Sequence, residues 1–279
     1  MFKRANFVER SIMGALSFLK DSVLADAYAA QKGFLQARDP CVKAVTILLL
    51  LLSVLFTRDI LFLAGMYCVV LVLTHVSSIS VGFFLKRTWF FIPFFSLVIA
   101  IPALFDVFTP GQALWSFKVL GIAFTVTRQG LDGAALFTLR VLTSVSLVVL
   151  LALTTKHSQL LRVLRIFKIP QVFVMTIGMC YRYIYLFVEI IENTYTAIKS
   201  RVGVISHVKK GQQIVAWNIA HLWQRSYYLN TQVYNAMLSR GYRGEPRVLD
   251  EGRPEYKDWL WLSGVAAFFM IILWKHYLN

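Results

Sequence analysis

The sequence predicts an all-α integral membrane protein with about five transmembrane helices and a cytoplasmic block of further helices. Hydrophobic residues make up 58% of the 279 residues and charged residues only 15%, whereas soluble domains are nearer half apolar and a quarter charged. The apolar residues fall into long runs that suit membrane-spanning helices. The net charge of +15 comes from lysines and arginines between those runs, which the positive-inside rule explains better than nucleic-acid binding does.

Residues 1–40 predict an N-terminal segment that is cytoplasmic or lies at the membrane interface. Apolar residues such as Val23, Ala27 and Leu35 fall on one face of a helix in this segment, as in interfacial helices. The segment has no continuous apolar run and contains several lysines and arginines, so we expect no cleavable signal peptide.

Residues 41–155 predict four transmembrane helices. The first is short for a bilayer, and we expect Lys43 at its start to extend its side chain to the interface and lengthen it. The third contains Pro93 and Pro102, which predict a kink. The predicted spans are 42–56, 60–76, 89–105 and 133–154, and residues 106–132 are a partly amphipathic link on the outer face.

Arg140 lies seven residues inside the fourth predicted span. A charge at that depth faces protein or water rather than lipid. It is either a structural arginine paired inside the helix bundle, which we slightly favour, or part of a polar path or of a contact with a partner subunit.

Residues 156–250 predict a cytoplasmic block of three helices. This block contains thirteen lysines and arginines between Lys156 and Arg247 against three acidic residues, a bias typical of cytoplasmic segments. The first helix is amphipathic and suits a membrane surface. Residues 171–189 are apolar enough to enter the bilayer, but the charges near them leave their place in or beside it open. The predicted helices are 157–168, 171–201 and 211–240.

Residues 251–279 predict a last transmembrane helix at about 259–274, with tryptophans at both ends as in interfacial aromatic belts. Five spans place the N-terminus and the basic block in the cytoplasm of a multi-pass protein of the inner membrane. Lys275 and His276 are then the weak exception to the charge rule.

The stretch Ser239-Arg240-Gly241 predicts a helix end, since glycine favours the conformation that terminates helices. An arginine followed by glycine suits docking into a groove of another protein. The alternative is an ordinary helix end at which arginine is favoured by the helix dipole.

The chain has no motif for chemistry of its own, and we expect no catalytic residue, metal site or cofactor. A phosphate-binding P-loop is missing from the sequence. Its five histidines and three cysteines are scattered without the spacing of metal ligands. Neither a nucleophile motif nor paired carboxylates suggest hydrolysis. Such a chain suggests a subunit that transmits motion while partners supply the energy.

Three stretches match the motifs of one transport family in order and spacing. They are Arg38-Asp39-Pro40-Cys41-Val42-Lys43, the run Leu160–Pro170 followed by Tyr181-Arg182-Tyr183, and Ala236-Met237-Leu238-Ser239-Arg240-Gly241-Tyr242. On these stretches the chain resembles the transmembrane T component of energy-coupling-factor (ECF) transporters, and most of all the cobalt/nickel branch, CbiQ.

The resemblance implies a coupling subunit of an ATP-driven importer for cobalt or nickel ions. Its implied partners are two ABC-type ATPase subunits (CbiO-like) and a substrate-binding membrane subunit (CbiM/CbiN-like). In the family, two cytoplasmic helices end in Ala-Arg-Gly-type motifs, and each arginine docks into a groove on one ATPase. The matching positions here are Ser200, Arg201 and Gly203, and Ser239, Arg240 and Gly241.

This sequence departs from the family motif in two ways. Val202 stands where glycine is expected, and serine replaces alanine at Ser200 and Ser239. We expect the role of the arginines to survive these changes, whereas the side chain of Val202 hinders the close backbone approach that a glycine would allow.

Three other functions stay open from the residues alone. A T component serving vitamin-type substrate subunits would differ from the leading interpretation in its partner. A membrane-bound lipid-modifying enzyme would use Arg140 or the basic block for phosphate, and the lack of paired acids counts against it. A plain membrane anchor has no need of so many clustered cations.

Overall fold

The computed structural model describes residues 14, 28–31, 33–89, 92–102, 113–119, 122–202, 208–244 and 255–278. Within these ranges the chain forms nine helices and one short two-stranded sheet, so the predicted all-α class is confirmed with a small β addition. In chain order the elements are α1 (Pro40–Phe56), α2 (Ile60–Val76), α3 (Val81–Trp89), α4 (Ile92–Ala100), β1 (Ala113–Val119), β2 (Ile122–Thr127), α5 (Arg128–Thr154), α6 (His157–Ile166), α7 (Gln171–Val202), α8 (Val208–Ser239) and α9 (Tyr256–Leu278).

The chain divides into two compact units. One unit comprises residues 26–160 and 252–279 and contains α1 to α5, the sheet and α9. The other comprises residues 1–25 and 161–251 and contains α7 and α8. We call them the bundle unit and the long-helix unit.

The bundle unit is organised around α5, which contacts α1, α2, α3 and α4, while α9 packs along α1. Branched aliphatic side chains fill its interior at close packing. The side chains with almost no exposure include Val54, Leu63, Leu147, Leu150 and Leu153.

Three helical stretches in the described ranges are long and apolar enough to cross a bilayer, namely 128–154, 171–198 and 256–275. α3 and α4, bent by 42°, qualify together as a fourth. α1 and α2 are apolar but have 17 residues each, about 26 Å against a hydrocarbon core of about 30 Å. Residues 171–189, left open by the sequence, thus belong to a helix with the length and apolarity of a span.

The third predicted span, 89–105, begins too late. α4 lies within it, but α3 precedes it and shares only Trp89 with it, and only the two helices together are long enough to span. Pro93 is the second residue of α4, a position that lacks an intrahelical donor and therefore tolerates proline. α4 ends at Ala100, two residues before Pro102. The predicted kink is therefore the start of a new helix next to Pro93, and that helix ends before Pro102.

The link between α4 and α5 contains a β-hairpin that sequence patterns did not predict. β1 and β2 pair antiparallel, with Phe117 opposite Phe124 and a register irregularity between Ala113 and Trp115. α5 follows β2 directly, and its first turn is capped by the Thr127 hydroxyl, which accepts from the Gly130 N–H at 3.1 Å.

The long-helix unit is dominated by α7 and α8, which have 32 residues each, about 48 Å. Their bounds agree with the helices predicted at 171–201 and 211–240. α6 ends at Ile166, and Lys168, two residues later, is in the left-handed region at φ 60°. Pro170 then accepts from the Phe173 N–H at 3.0 Å, which starts α7.

Candidate functional site

Arg240 is the C-cap residue of α8, directly after Ser239. The Tyr242 N–H donates to the Met237 carbonyl at 3.0 Å, and the Gly241 N–H donates to the Leu238 carbonyl at 3.0 Å. This pair of bonds is the Schellman arrangement, which requires a left-handed residue. Gly241 supplies it with φ 83°. The cap fixes the backbone of Arg240, and its side chain is exposed.

Tyr242 holds this cap against α7. Its hydroxyl lies 2.9 Å from the carbonyl oxygen of Gly244, to which it donates, and 3.2 Å from Met175 Sδ near the start of α7. Gly244 is also left-handed, at φ 93°. Sequence reasoning named Tyr242 only as the last residue of the third matching stretch, with no role of its own, and it missed Met175. A tyrosine between the two glycines of Gly-Tyr-Arg-Gly was the signal that this segment folds back.

Arg201 lies in the last turn of α7 and is exposed. The hydroxyl of Ser200 beside it donates to the Ala197 carbonyl at 2.9 Å. The Ser239 hydroxyl makes a similar bond at the end of α8, donating to the Asn235 carbonyl four residues back at 2.9 Å. The two serines therefore bond to their own helices. Gly203 lies outside the described residues.

The structure keeps the two arginines apart. Tyr242, next to Arg240, contacts Met175, and the stretch of α7 from Met175 to Arg201 is about 39 Å long. Each arginine therefore lies near a different end of α7. In the described part of the chain neither guanidinium has a carboxylate partner.

These guanidiniums can make strong bonds to a group from outside. Each presents five N–H donors in a planar fork that suits carboxylates and carbonyl oxygens. Each also lies at a helix C-terminus, whose negative dipole favours a cation. The arrangement is compatible with a docking arginine and with an ordinary cap. Within the described residues neither arginine pairs with a carboxylate, so both guanidiniums are available to an outside group.

The Asp39–Lys43 stretch is structural and joins the ends of helices in the bundle unit. Asp39 caps α1 by accepting from the Cys41 N–H at 2.8 Å, and Pro40 occupies the first turn. The Lys43 side chain is 1% exposed and donates to the Thr154 carbonyl at 2.9 Å. The expectation that Lys43 extends to the interface is wrong, because the Thr154 carbonyl at the end of α5 binds its ammonium instead.

Arg38, one residue before this stretch, connects it to α9. Its Nη1 lies 3.4 Å from Asp258 Oδ1, and Asp258 is buried. Its guanidinium also lies 4.9 Å from the centre of the Phe34 ring, which in turn packs edge-on against Trp261 at 5.4 Å.

Arg140 donates from Nη2 to the Thr57 carbonyl at 2.8 Å. Thr57 is the C-cap residue of α1, so the arginine satisfies a carbonyl at a helix end. This contact favours the structural interpretation of Arg140 over a polar path.

No group of three or more histidine, cysteine, aspartate or glutamate side chains lies together among the residues that the structure describes. The three described cysteines, at positions 41, 68 and 180, are all free thiols.

Comparison with known proteins gives one family and two similar proteins. The sequence model of a family described as CbiQ, cobalt transport protein, matches residues 31–249, which include the Asp39–Lys43 stretch and both arginine-bearing helix ends. Two proteins of Methanocaldococcus jannaschii, both described as uncharacterized, are similar along most of their length. One is 30% identical over 256 residues, covering 90% of this chain and 85% of the relative. The other is 27% identical over 269 residues, covering 92% and 94%.

Proposed function

The chain belongs to the CbiQ family of cobalt transport proteins, and from that premise we propose that it is the coupling subunit of an ATP-driven ECF importer. Two ABC-type ATPases (CbiO-like) supply the energy. A substrate-binding membrane subunit (CbiM/CbiN-like) holds the cargo, cobalt or nickel ions. The match to a cobalt transport family favours this branch over T components that serve vitamin-type subunits.

The observation that carries the proposal is the presentation of two exposed arginines at two separate helix ends. One ATPase receives Arg240 and the other receives Arg201. The stretch of about 39 Å along α7 gives each partner its own site, so that both can be bound at once. The coupling motif of Arg201 also includes Ser200 and Gly203, and that of Arg240 includes Ser239 and Gly241.

The Schellman cap of α8 makes Arg240 suitable for transmitting force. A guanidinium on a fixed backbone loses little conformational freedom when it enters a groove, and it binds oxygen acceptors with two parallel N–H bonds. When the ATPases close on ATP, they displace the ends of α7 and α8. The contact between Tyr242 and Met175 passes that displacement from the end of α8 to the start of α7.

The proposal implies a defined orientation in the membrane. The ATPases are cytoplasmic, so both helix ends that carry the arginines face the cytoplasm, as the positive-inside rule also expects of the basic residues around them. Because Arg240 lies near the start of α7 and Arg201 near its end, α7 then lies along the membrane surface and does not cross the bilayer. The protein is then a multi-pass protein of the inner membrane with its N-terminus on the cytoplasmic side.

The experiment compares Arg240→Glu and Arg201→Glu with Arg225→Glu, an exposed arginine in the middle of α8. Each variant is expressed with the candidate ATPases and substrate subunit, and both co-purification and uptake of radiolabelled cobalt are measured. We expect each end variant to lose most ATPase association and uptake, because it presents a carboxylate where a guanidinium must bind. Arg225→Glu keeps both. Full uptake by the double variant of Arg201 and Arg240 would overturn the assignment.

A further inference from the structure

A groove runs along the outside of the bundle unit between α2 and α9. It has a volume of about 650 Å³. Its apolar lining is contributed mostly by α2, and its charged end is formed by Asp59 and Lys275. The lining side chains include Ile60, Phe62, Met66, Val69 and Phe268, with a gap at Gly65.

A smaller notch adjoins the charged end of this groove. Its volume is about 130 Å³, and it shares Asp59, Phe62 and Lys275 with the groove. Its other lining residues are the polar Thr57 and Arg58 and the apolar Phe56 and Ile272. The notch and the groove therefore meet at the ion pair between Asp59 and Lys275.

The charges at this junction favour an anion. Arg58 and Lys275 contribute two positive charges against the single negative charge of Asp59. Arg58 is exposed and has no ion-pair partner among the described residues, and the Lys275 side chain is 61% exposed. An ammonium has three N–H donors, so Lys275 can pair with Asp59 and still donate to a phosphate.

The length of the groove matches one leaflet of a bilayer. Ile60 and Val69 are nine residues apart on α2, a rise of about 14 Å, and half of a hydrocarbon core of about 30 Å is about 15 Å. Phe268 precedes Lys275 by seven residues on α9, so the groove descends from the charged end on both helices. An extended acyl chain entering at the charged end would fill this depth.

Two features of the lining suit a chain. Phe62 and Phe268 stack with ring centres 5.8 Å apart, so aromatic side chains of both helices line the groove. At Gly65 a side-chain carbon would meet nothing within 4 Å, so the surface is recessed at that point.

From the adjoining notch, the net positive charge and the leaflet-length groove we propose that this is a binding site for one anionic phospholipid. Its phosphate lies in the notch beside Arg58 and Lys275, and one acyl chain lies in the groove over Gly65. The site does not depend on the coupling role proposed above, and it explains why Lys275 departs from the charge rule of the outer face.

The test uses the purified full-length protein in detergent and counts retained lipids by native mass spectrometry. Phosphatidylglycerol and phosphatidylcholine are titrated separately. We expect one phosphatidylglycerol molecule bound about tenfold more tightly than phosphatidylcholine. Combined Arg58→Gln and Lys275→Gln removes that preference. Lys257→Gln, which removes a cation from the opposite end of α9, leaves it unchanged.

A second variant tests the chain-binding groove without altering charge. Gly65→Leu fills the recess and should weaken binding of phosphatidylglycerol about tenfold, whereas Gly264→Leu, at an equally open glycine of α9 outside the groove, should not. Inorganic phosphate at the same concentration should not displace the lipid.

Three results would overturn the proposal. One is unchanged lipid preference in the double charge variant. Another is displacement by inorganic phosphate alone, which would indicate a small-anion site. The third is efficient cross-linking of Gly65→Cys to a co-purified membrane subunit with no lipid retained, which would show that a partner helix occupies the groove.

Discussion

Replacing Gly241 with alanine tests whether the cap of α8 positions Arg240. The glycine has φ 83°, where an L-residue with a side chain costs about 1–2 kcal/mol. The added methyl group meets no atom within 4 Å, so backbone strain is the only direct effect of the substitution. The chain either keeps the strained cap or releases it, and release breaks the two bonds to Met237 and Leu238.

The size of the effect follows from that strain. If the strain falls entirely on the capped state, its population relative to the released state decreases by about five- to thirtyfold. A released cap frees Tyr242 from Met175 and lets the backbone of Arg240 move. The apparent affinity for the ATPase falls in proportion to the competent population, so about thirtyfold is the upper bound.

The assay immobilises the protein in nanodiscs on a surface and measures the dissociation constant of its complex with the purified ATPase. Gly264→Ala is the matched control, because it makes the same chemical change within α9 where the space is open. We expect weaker ATPase binding for Gly241→Ala and wild-type binding for Gly264→Ala. Equal affinity of Gly241→Ala and wild type, together with an unchanged midpoint of thermal unfolding, would refute the role of the cap.

Two further predictions concern the helix ends of the bundle unit. Lys43→Met should lower the free energy of unfolding by about 1–3 kcal/mol, because the buried Thr154 carbonyl loses its donor; denaturant unfolding in detergent measures this, and unchanged stability would contradict the contact. Arg38→Gln and Asp258→Asn should be non-additive, with a coupling energy of about 0.5–3 kcal/mol, because the two groups are in contact and Asp258 is buried. A double-mutant cycle measures that coupling, and strict additivity would exclude the pair.

Much of the fold follows from patterns within single segments. The apolar runs predicted the membrane class, and the predicted bounds of α1, α2, α7 and α8 lie within a few residues of those observed. The end of α8 was also readable, because Gly241 after Ser239 and Arg240 is a local signal for a left-handed cap. These features depend on neighbouring residues along the chain, so the sequence displays them directly.

Other features lay outside the reach of local patterns. The apolar and β-branched residues of 113–127 did not specify a hairpin, because short runs of this kind are ambiguous and their pairing depends on register. The contact between Tyr242 and Met175 joins residues 67 positions apart, and nothing in either segment identifies the other.

Sequence by itself determined that this chain is an apolar, basic, helical membrane protein of a transport family, with arginines at the ends of two long helices. Hydropathy, charge bias and cap chemistry are properties of each segment and need no knowledge of its neighbours. Tertiary structure alone decided that Lys43 is buried against Thr154, 111 residues away, and that Arg38 pairs with Asp258, 220 residues away. The physical reason is that a buried cation takes whichever acceptor the packing of helices brings to it, and packing is settled only when the whole bundle has formed.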